Sequence, residues 1–473
     1  MRINHNISAL KACNILGKTN NALDKSLERL SSGFRINRAA DDAAGLAISE
    51  KMKTQIAGLE QAARNAADGI SVIQTAEGAL DEVEAMLQRM RELSVQAANG
   101  VNTDEDRGAI QDEIDQLNEE INRVSTTTEF NTKKLLNGTV DRRSYSDNER
   151  VQLISLSDSV SITEYELSVT TAPQPAQVKM DEITIADRDA ALGTGYAGKI
   201  AINEIEIQVT EDDTMTTIYE KLREAGSNVG INVMPAVENA AGEAEVTTIA
   251  AADFILFETK DLGDDASIEI YCNNEKLANA LGFESGRKGA GVDAIVELGA
   301  GFASTATVSI DGDYVTVTDV DDFRMKFKVE GTADAKVTVL KAGPMDLQIG
   351  ANEGQTMEVR IPKVDTDTLG TAVVNVNTQE SAQKAITIFE NAINEVSSIR
   401  AKLGAYQNRL EHSINSLNVS AENLTEALSR VEDVDMAKEM VTYTQQQVLS
   451  QSGNAMLAQA NERPQNILSL LQS

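Results

Sequence analysis

Between residues 385 and 431 the apolar positions fall three or four residues apart almost throughout. They are Ala385, Phe389, Ala392, Val396, Ile399, Leu403, Tyr406, Leu410, Ile414, Leu417, Ala421, Leu424, Leu428 and Val431. That spacing predicts one long helix with a single buried face, packed along a seam of coiled-coil type. No proline interrupts it, and Gly404 is its only glycine. At 1.5 Å per residue the stretch is a rod of roughly 70 Å, which needs a partner helix of matching length. A second stripe supplies one: Met52, Ile56, Leu59, Ala63, Ala66, Ile70, Ile73, Leu80, Val83, Leu87, Met90, Leu93 and Ala97. Asp41 or Asp42 is placed to cap its start, and Asn99-Gly100 supplies a stop. A shorter helix is predicted from about Asp104 to Ser125, with Ile110, Ile114, Leu117, Ile121 and Val124 on one face.

The two ends extend the pattern. Ile3, Ile7 and Leu10, then Leu23, Leu27 and Leu30, recur at helical spacing before Ser31-Ser32-Gly33 breaks it and FRINRAADDAAG follows as a connector. Beyond Val431, residues 432–473 continue helically with Met436, Met440, Tyr443, Val448 and Met456, and close in QANERPQNILSLLQS. The chain holds six prolines, none from Met1 to Ala172 or from Lys363 to Arg463, so both arms are free of helix breakers.

From about Asp141 to Gly343 the period changes to short alternating strands with turn signals. Ile200 and Ile202, then Asn203-Glu204, then Ile205, Ile207 and Val209 predict a hairpin. Asp213 is placed to cap a short helix, TMTTIYEKLREAG, ended by Gly226, with a strand near Ile231–Met234. Further strands are predicted at Phe254–Phe257, Ser267–Tyr271, Thr305–Ile310, Tyr314–Thr318, Met325–Val329 and Val337–Leu340, with a hairpin turn at Asp311-Gly312. Residues 347–376 predict one more hairpin before the long helix. The paired ends therefore carry the middle as an insertion.

Composition narrows the function. The chain has 473 residues, 41% hydrophobic but only 4% aromatic and without Trp, which suits helical seams of Leu, Ile, Val and Ala. The net charge of −32 argues against a nucleic-acid partner. Most of it, a net −20 from 37 acidic and 17 basic residues, lies in residues 141–343. The arms differ in sign. Seven basic residues (Arg2, Lys11, Lys18, Lys25, Arg29, Arg35, Arg38) face only Asp24 and Glu28 in residues 1–40, whereas residues 432–473 carry Glu432, Asp433, Asp435, Glu439 and Glu462 against Lys438 and Arg463.

Site chemistry is sparse. His5 and His412 are the only histidines, and HExxH, GxSxG and GxxxxGK[ST] are all absent from the sequence. Cys13 and Cys272 lie far apart, so no disulfide framework or metal cluster is implied; Cys13 is expected as a small buried hydrophobe. The acidic pairs Asp41-Asp42, Asp212-Asp213, Asp264-Asp265 and Asp321-Asp322 suit solvated surface or helix capping. Asp311-Gly312-Asp313 lacks the other ligands of a calcium loop. The sequons at Asn137, Asn418 and Asn423 carry little weight, two of them on a helix that must pack. The first twenty residues have no basic region followed by an apolar run, so a cleavable secretory signal is not expected. No stretch approaches the length of a membrane span. On its own this places the chain in the cytoplasm, with uncleaved export by a dedicated route left open.

LERLSSGFRINRAADDAAGLAISEKM, RNAADGISVIQTAEGALDEVEAMLQRMRELSVQAANG and SAENLTEALSRVEDVDMAKEMVTYTQQQVLSQSGNAMLAQANERPQNILSLLQ closely resemble bacterial flagellin, over roughly residues 1–137 and 345–473. The resemblance implies a mainly α fold with an α+β insertion. Its layers would be a terminal coiled-coil domain D0 (1–40 and 432–473) and a helical-bundle domain D1 with a β-hairpin (41–140 and 344–431). A variable β-rich insertion would occupy 141–343. Within it, GKIAINEIEIQVTEDDTMTTIYEKLREAGSNVGINV and NEKLANALGF resemble the repeat shared by hook-associated proteins and some flagellins, over 176–285, with 286–343 a further β-rich part.

The implied role is structural, with no catalysis, cofactor or metal. Subunits leave unfolded through the flagellar export channel and stack at the growing tip of an extracellular filament, with arms disordered until neighbours arrive. The implied partners are the chain itself, an export chaperone, the cap protein, hook-associated proteins and the host Toll-like receptor for flagellin. QRMRELSVQAANG resembles the site which that receptor reads, so Gln88, Arg89, Arg91, Leu93, Gln96 and, on the next helix, Glu113 are candidates. They are also expected to pack between protofilaments, and Arg89 with Glu113 reads equally as an inter-helix salt bridge. Other roles to weigh are a hook–filament junction protein, an adhesin presented by residues 141–343, and an enzyme carried in the insertion, for which no site is visible.

Overall fold

The computed structural model describes residues 6–472, apart from 158, 186, 187, 189, 204, 239–243, 250, 251, 284, 285, 321 and 322, with side chains in the last helix as far as residue 462. The expectations for Arg2, Ile3 and His5, for Glu204 in its turn, for Asp321-Asp322 and for side chains of the tail from Arg463 lie outside the described residues. Eight helices are described: α1 (Ile7–Ser32), α2 (Ala43–Ala97), α3 (Asp104–Thr127), α4 (Met215–Val229), α5 (Glu275–Leu281), α6 (Thr366–Leu369), α7 (Gln379–Glu432) and α8 (Met436–Gln472). Helices α1–α3 and α7–α8 flank an antiparallel β-rich middle that contains α4 and α5. The chain divides into two compact units, one of Met1–Gly69, Leu347–Met357 and Asn408–Ser473, the other of Ile70–Asp346 and Glu358–Gln407.

In the first unit α1 and α8 run antiparallel. Asn6 Nδ2 donates to the Ala460 carbonyl (2.8 Å), Ser450 Oγ to Asn20 (2.9 Å) and Ser26 Oγ to Glu439. The opposite charges of the arms meet at Arg29 and Glu439, 4.0 Å apart. Both arms are helical over their described residues. Gly33, at φ 78°, ends α1 in the left-handed conformation that glycine adopts without strain. Asp42, the expected cap of α2, accepts from the Gly45 amide at 2.8 Å. The hairpin of Met345–Gln348 and Thr356–Val359 lies over two glycines of α2. A Cβ on Gly58 would stand 2.9 Å from that of Ala351, and one on Gly69 would strike Leu347. Asn65 Nδ2 donates to the Gln348 carbonyl between them, at 3.1 Å.

In the second unit the predicted seam is present. Ile73, Leu80, Val83, Leu87, Met90 and Leu93 of α2 are buried, as are Ala385, Phe389, Ala392, Val396 and Leu403 of α7. Arg400 reaches Asp81 (2.9 Å) and Arg91 reaches Glu390 (3.6 Å), which fixes the two helices antiparallel. Ile110, Ile114 and Ile121 bury one face of α3. The buried Arg107 guanidinium group donates to the carbonyl of Ala97, the last residue of α2, at 3.0 Å and to that of Asn99 just beyond it at 3.4 Å. Three amide side chains of α3 hold the segment before α7. Gln111 receives the Val376 amide (2.7 Å), Asn118 pairs with Thr371 and Asn122 with Thr366.

The insertion has two cores. One lies among the strands Pro175–Lys179, Ile231–Glu238, Ala244–Val246 and Phe254–Leu262, a second four-stranded sheet of Gly198–Ile202, Ile205–Val209, Ser267–Cys272 and Arg287–Ala290, and helices α4 and α5. The other is a sandwich. Its sheets order as Ile295–Leu298, Glu164–Thr171, Ala333–Val339, Ser144–Ser146 and as Thr307–Asp311, Tyr314–Asp319, Phe323–Val329, Val151–Leu156. Residues 286–343 thus share their core with residues 151–169.

Several expectations need correction. A lone antiparallel partner covers one narrow line of α1, so Ser26 is its buried residue and Ile7, Leu10 and Leu27 stay exposed. Cys13 is exposed for the same reason. Residues 347–376 form a hairpin and then the short α6, since Asp365 caps a new turn through the Thr368 amide (2.9 Å). The run after Val431 breaks at 433–435 before α8 begins. Thr214, not Asp213, caps α4; Asp213 pairs with Lys221 at 2.8 Å. Gly226 does not end α4, which runs to a left-handed Gly230 at φ 77°.

Gly226 is buried where the next strand crosses: a Cβ there would lie 2.8 Å from the Ile231 carbonyl oxygen and 2.6 Å from Val233. Gly226→Ala is therefore expected to destabilise the α4 core by about 1–2 kcal/mol, because overpacking against backbone outweighs the helix-propensity gain of about 1 kcal/mol. Urea denaturation followed by tyrosine fluorescence checks this; a stabilised variant would refute it.

Candidate interaction surfaces

The apolar positions that lack cover concentrate on the terminal helices. On α1 Ile7, Leu10, Ile15 and Leu27 face solvent; on α8 so do Met436, Met440, Val441, Val448, Leu449 and Met456. Met440, Val441, Thr444, Gln445, Val448 and Leu449 line an open groove on α8. Their spacing of one, four, five, eight and nine residues puts them on one helix face. The sequence reading named Met440 and Val448 and missed Val441 and Leu449; the repeated apolar doublet was the available signal. Val441 is 69% exposed and Met456 60%, unusual for side chains of this kind outside an interface. Burying each fully is worth about 1.5–3 kcal/mol.

A second surface lies on the outward side of α2. Gln88, Arg89, Arg91 and Gln96 are exposed there. Arg89 reaches across to Glu113 of α3 at 2.9 Å and along its own helix to Glu92 at 3.5 Å. The hydrogen bond to Glu113 holds the guanidinium proton more tightly than usual. Gln88 reaches Glu84 at 3.4 Å, and the Gln96 carbonyl accepts from Asn102 at 2.6 Å. Leu93 departs from this set. It is 2% exposed and points into the α2 seam, between Met90 and Ala97 of the same stripe, so it supports the surface from below. Its place in that stripe already signalled this. Val95, which the reading passed over, is the exposed aliphatic residue here.

Among the described residues no group of three His, Cys, Asp or Glu side chains is placed to hold a metal ion. Cys272 is buried at a strand end, and burial pushes its thiol up, away from nucleophilic use. Asp264 sits against Asp293, which raises its carboxyl; the Asp264 amide donates to Asp293 at 2.9 Å, so the pair closes a turn. Among the described residues no helix is long and apolar enough to cross a membrane. The paired long helices and their uncovered apolar faces are the features of a structural protein.

The comparisons agree with that class. Residues 3–141 match the bacterial flagellin N-terminal helical region, and residues 386–471 match the C-terminal helical region. The chain is 36% identical to a flagellin of Clostridium tyrobutyricum over 469 residues, covering 98% of this chain and 100% of that one. It is 35% identical to flagellin D of Vibrio anguillarum (100% and 99% covered) and 35% to the flagellin of Bacillus subtilis strain 168 (100% of both). The chain belongs to the bacterial flagellin family. It is accordingly a structural subunit of the flagellar filament.

Proposed function

We propose that the chain leaves the cell unfolded through the flagellar export channel, folds and stacks at the growing filament tip, and serves swimming motility outside the cell. Residues 1–40 and 432–473 act as the inner layer (D0), 41–140 and 344–431 as the next helical layer (D1), and 141–343 as the outer insertion. The observation that carries this reading is the uncovered apolar face of α8, with its counterpart on α1. Opposite net charges on the arms suit packing between copies as well as within one, in an open head-to-tail arrangement. The partners are further copies, an export chaperone, the cap protein and hook-associated proteins. Seeding purified protein with filament fragments tests the role. Growth of long filaments in negative stain is expected; failure to extend the seeds would favour a junction protein that shares the paired ends.

The exposed patch of Gln88, Arg89, Arg91 and Gln96, with Glu113 beside it, is proposed as the surface read by the host Toll-like receptor for flagellin. Packing between protofilaments would cover the same residues, so monomer is the active form. Arg89→Ala is expected to raise the monomer concentration for half-maximal response in receptor-bearing reporter cells by roughly tenfold, the effect of losing an Arg contact worth about 1.4 kcal/mol. An unchanged response would remove Arg89 from the surface.

A further inference from the structure

The strand Phe323–Val329 alternates buried Met325, Phe327 and Val329 with outward Arg324, Lys326 and Lys328. That outward side has a neighbour. Lys326 Nζ lies 3.5 Å from the Thr368 carbonyl in α6 and 4.8 Å from the centre of the Tyr314 ring. The adjoining strand Val151–Leu156 contributes Leu156, which shares a small cleft with Pro362 and with Ile399 and Tyr406 of α7. One turn earlier on α7 stands Glu395. It is exposed; desolvation pushes its carboxyl above the usual range, while the charges of Lys326, Arg324 and Lys402 pull the other way. Burial, with Asp313, Asp367 and Asp365 behind it, pushes the Tyr314 hydroxyl up to about 12. The neighbouring α4 core touches the same region, where Asn375 Nδ2 meets the Asn228 carbonyl at 3.4 Å.

We infer that the β-sandwich of the insertion is seated on α6 and α7, held by the basic face of Phe323–Val329 and by Leu156. Residues 141–343 are then carried as a fixed bracket. The alternative is a body swinging on its two connections, which run side by side through Arg143 to Ala342 (2.9 Å) and Leu340 to Arg143 (2.8 Å). Two hydrogen-bonded connections alone leave rotation about their axis free. The Lys326 ammonium 3.5 Å from a carbonyl of α6, beside the cleft that Leu156 shares with Pro362, Ile399 and Tyr406, restrains it. This inference concerns the single chain and stands apart from assembly.

Hydrogen exchange on the full-length monomer tests it. Lys326→Glu is expected to speed exchange of the Leu369, Gly370 and Thr371 amides by roughly tenfold, the opening of a locally held turn. Glu395→Lys is expected to act in the same direction from the helical side, and the charge-swapped double variant to return exchange towards the parent. Both single variants staying within twofold of the parent would overturn the inference, as would a double variant worse than either. Should Lys326→Glu also loosen Val315 and Val317 within the sandwich, Glu395→Lys, which lies outside that core, decides alone.

Discussion

Deleting residues 432–473 is expected to abolish filament growth and leave a soluble monomer, and deleting residues 1–40 is expected to do the same. The two truncations act alike because each arm is the other's main partner. Without α8, α1 loses its contacts at Asn6, Asn20, Ser26 and Arg29 together. Without α1, α8 keeps its apolar face but loses the helix that fixes its direction. The arms contribute little to the monomer's core, since α1 buries Ser26 alone. Assembly has much more to lose. Six exposed apolar side chains on α8, at about 1.5–3 kcal/mol each when fully buried, set an upper bound of roughly 9–18 kcal/mol. Association costs roughly 4–15 kcal/mol in lost freedom, so removing either arm takes away most of the net drive. Seeded polymerisation followed by light scattering and negative stain is the measurement; normal growth by either truncated chain would sink the assembly reading.

How much of this was legible follows from the physics of each pattern. The seam of α7 was readable because a 3.6-residue period leaves a spaced record wherever one face is buried. What the record omits is the number of neighbours. The same stripe is fully buried at Leu403 and Leu410 but only half-buried at Leu417, Leu424 and Leu428. Apolar spacing marks a face that seeks cover, whether or not the chain itself provides it. The arms show the same effect more strongly at Leu27 and Met456.

The insertion was less legible. Pro175–Lys179 went unread because Pro173 and Pro175 argue against a central strand; the strand lies at a sheet edge, where a missing amide costs no ladder bond. Its second core pairs Ala333–Val339 with Glu164–Thr171, strands separated by most of the insertion, and no local pattern encodes so distant a pairing. On the α2 surface, exposure of Arg89 and Arg91 followed from the helical period, and so did burial of Leu93 once its stripe was given priority over its motif. The amide side chains Gln111, Asn118 and Asn122 left no signal, because a polar residue on a helix reads as solvated until its backbone partner is known.

The junction of arms and bundle yields the second large effect. Glu432, the last residue of α7, is 5% exposed, and Lys53 of α2 donates to its carboxylate at 2.6 Å. The Glu432 carbonyl receives the Arg35 amide at 2.6 Å, and Phe34 bridges to Asp433 while its ring lies 5.9 Å below the Lys53 ammonium. Both passages of the chain between the arms and the longer helices are thus tied at one point. Lys53→Met leaves a buried carboxylate without its donor and is expected to cost about 1–3 kcal/mol, the penalty of an unsatisfied buried charge. Glu432→Gln should cost less, because the lysine is 41% exposed and regains water. The double variant should cost less than the sum of the two, since removing both partners removes the conflict. The hydrogen bond that Lys53 donates to Glu432 raises the Lys53 pKa above its ordinary 10.5, so its contribution is complete below that pH and is lost only as pH rises through the raised value. A urea double-mutant cycle at pH 7, repeated above pH 11, reads both claims. Additive costs at pH 7, or a coupling that persists undiminished in strong base, would show that Lys53 merely lies near Glu432 and does not hold it.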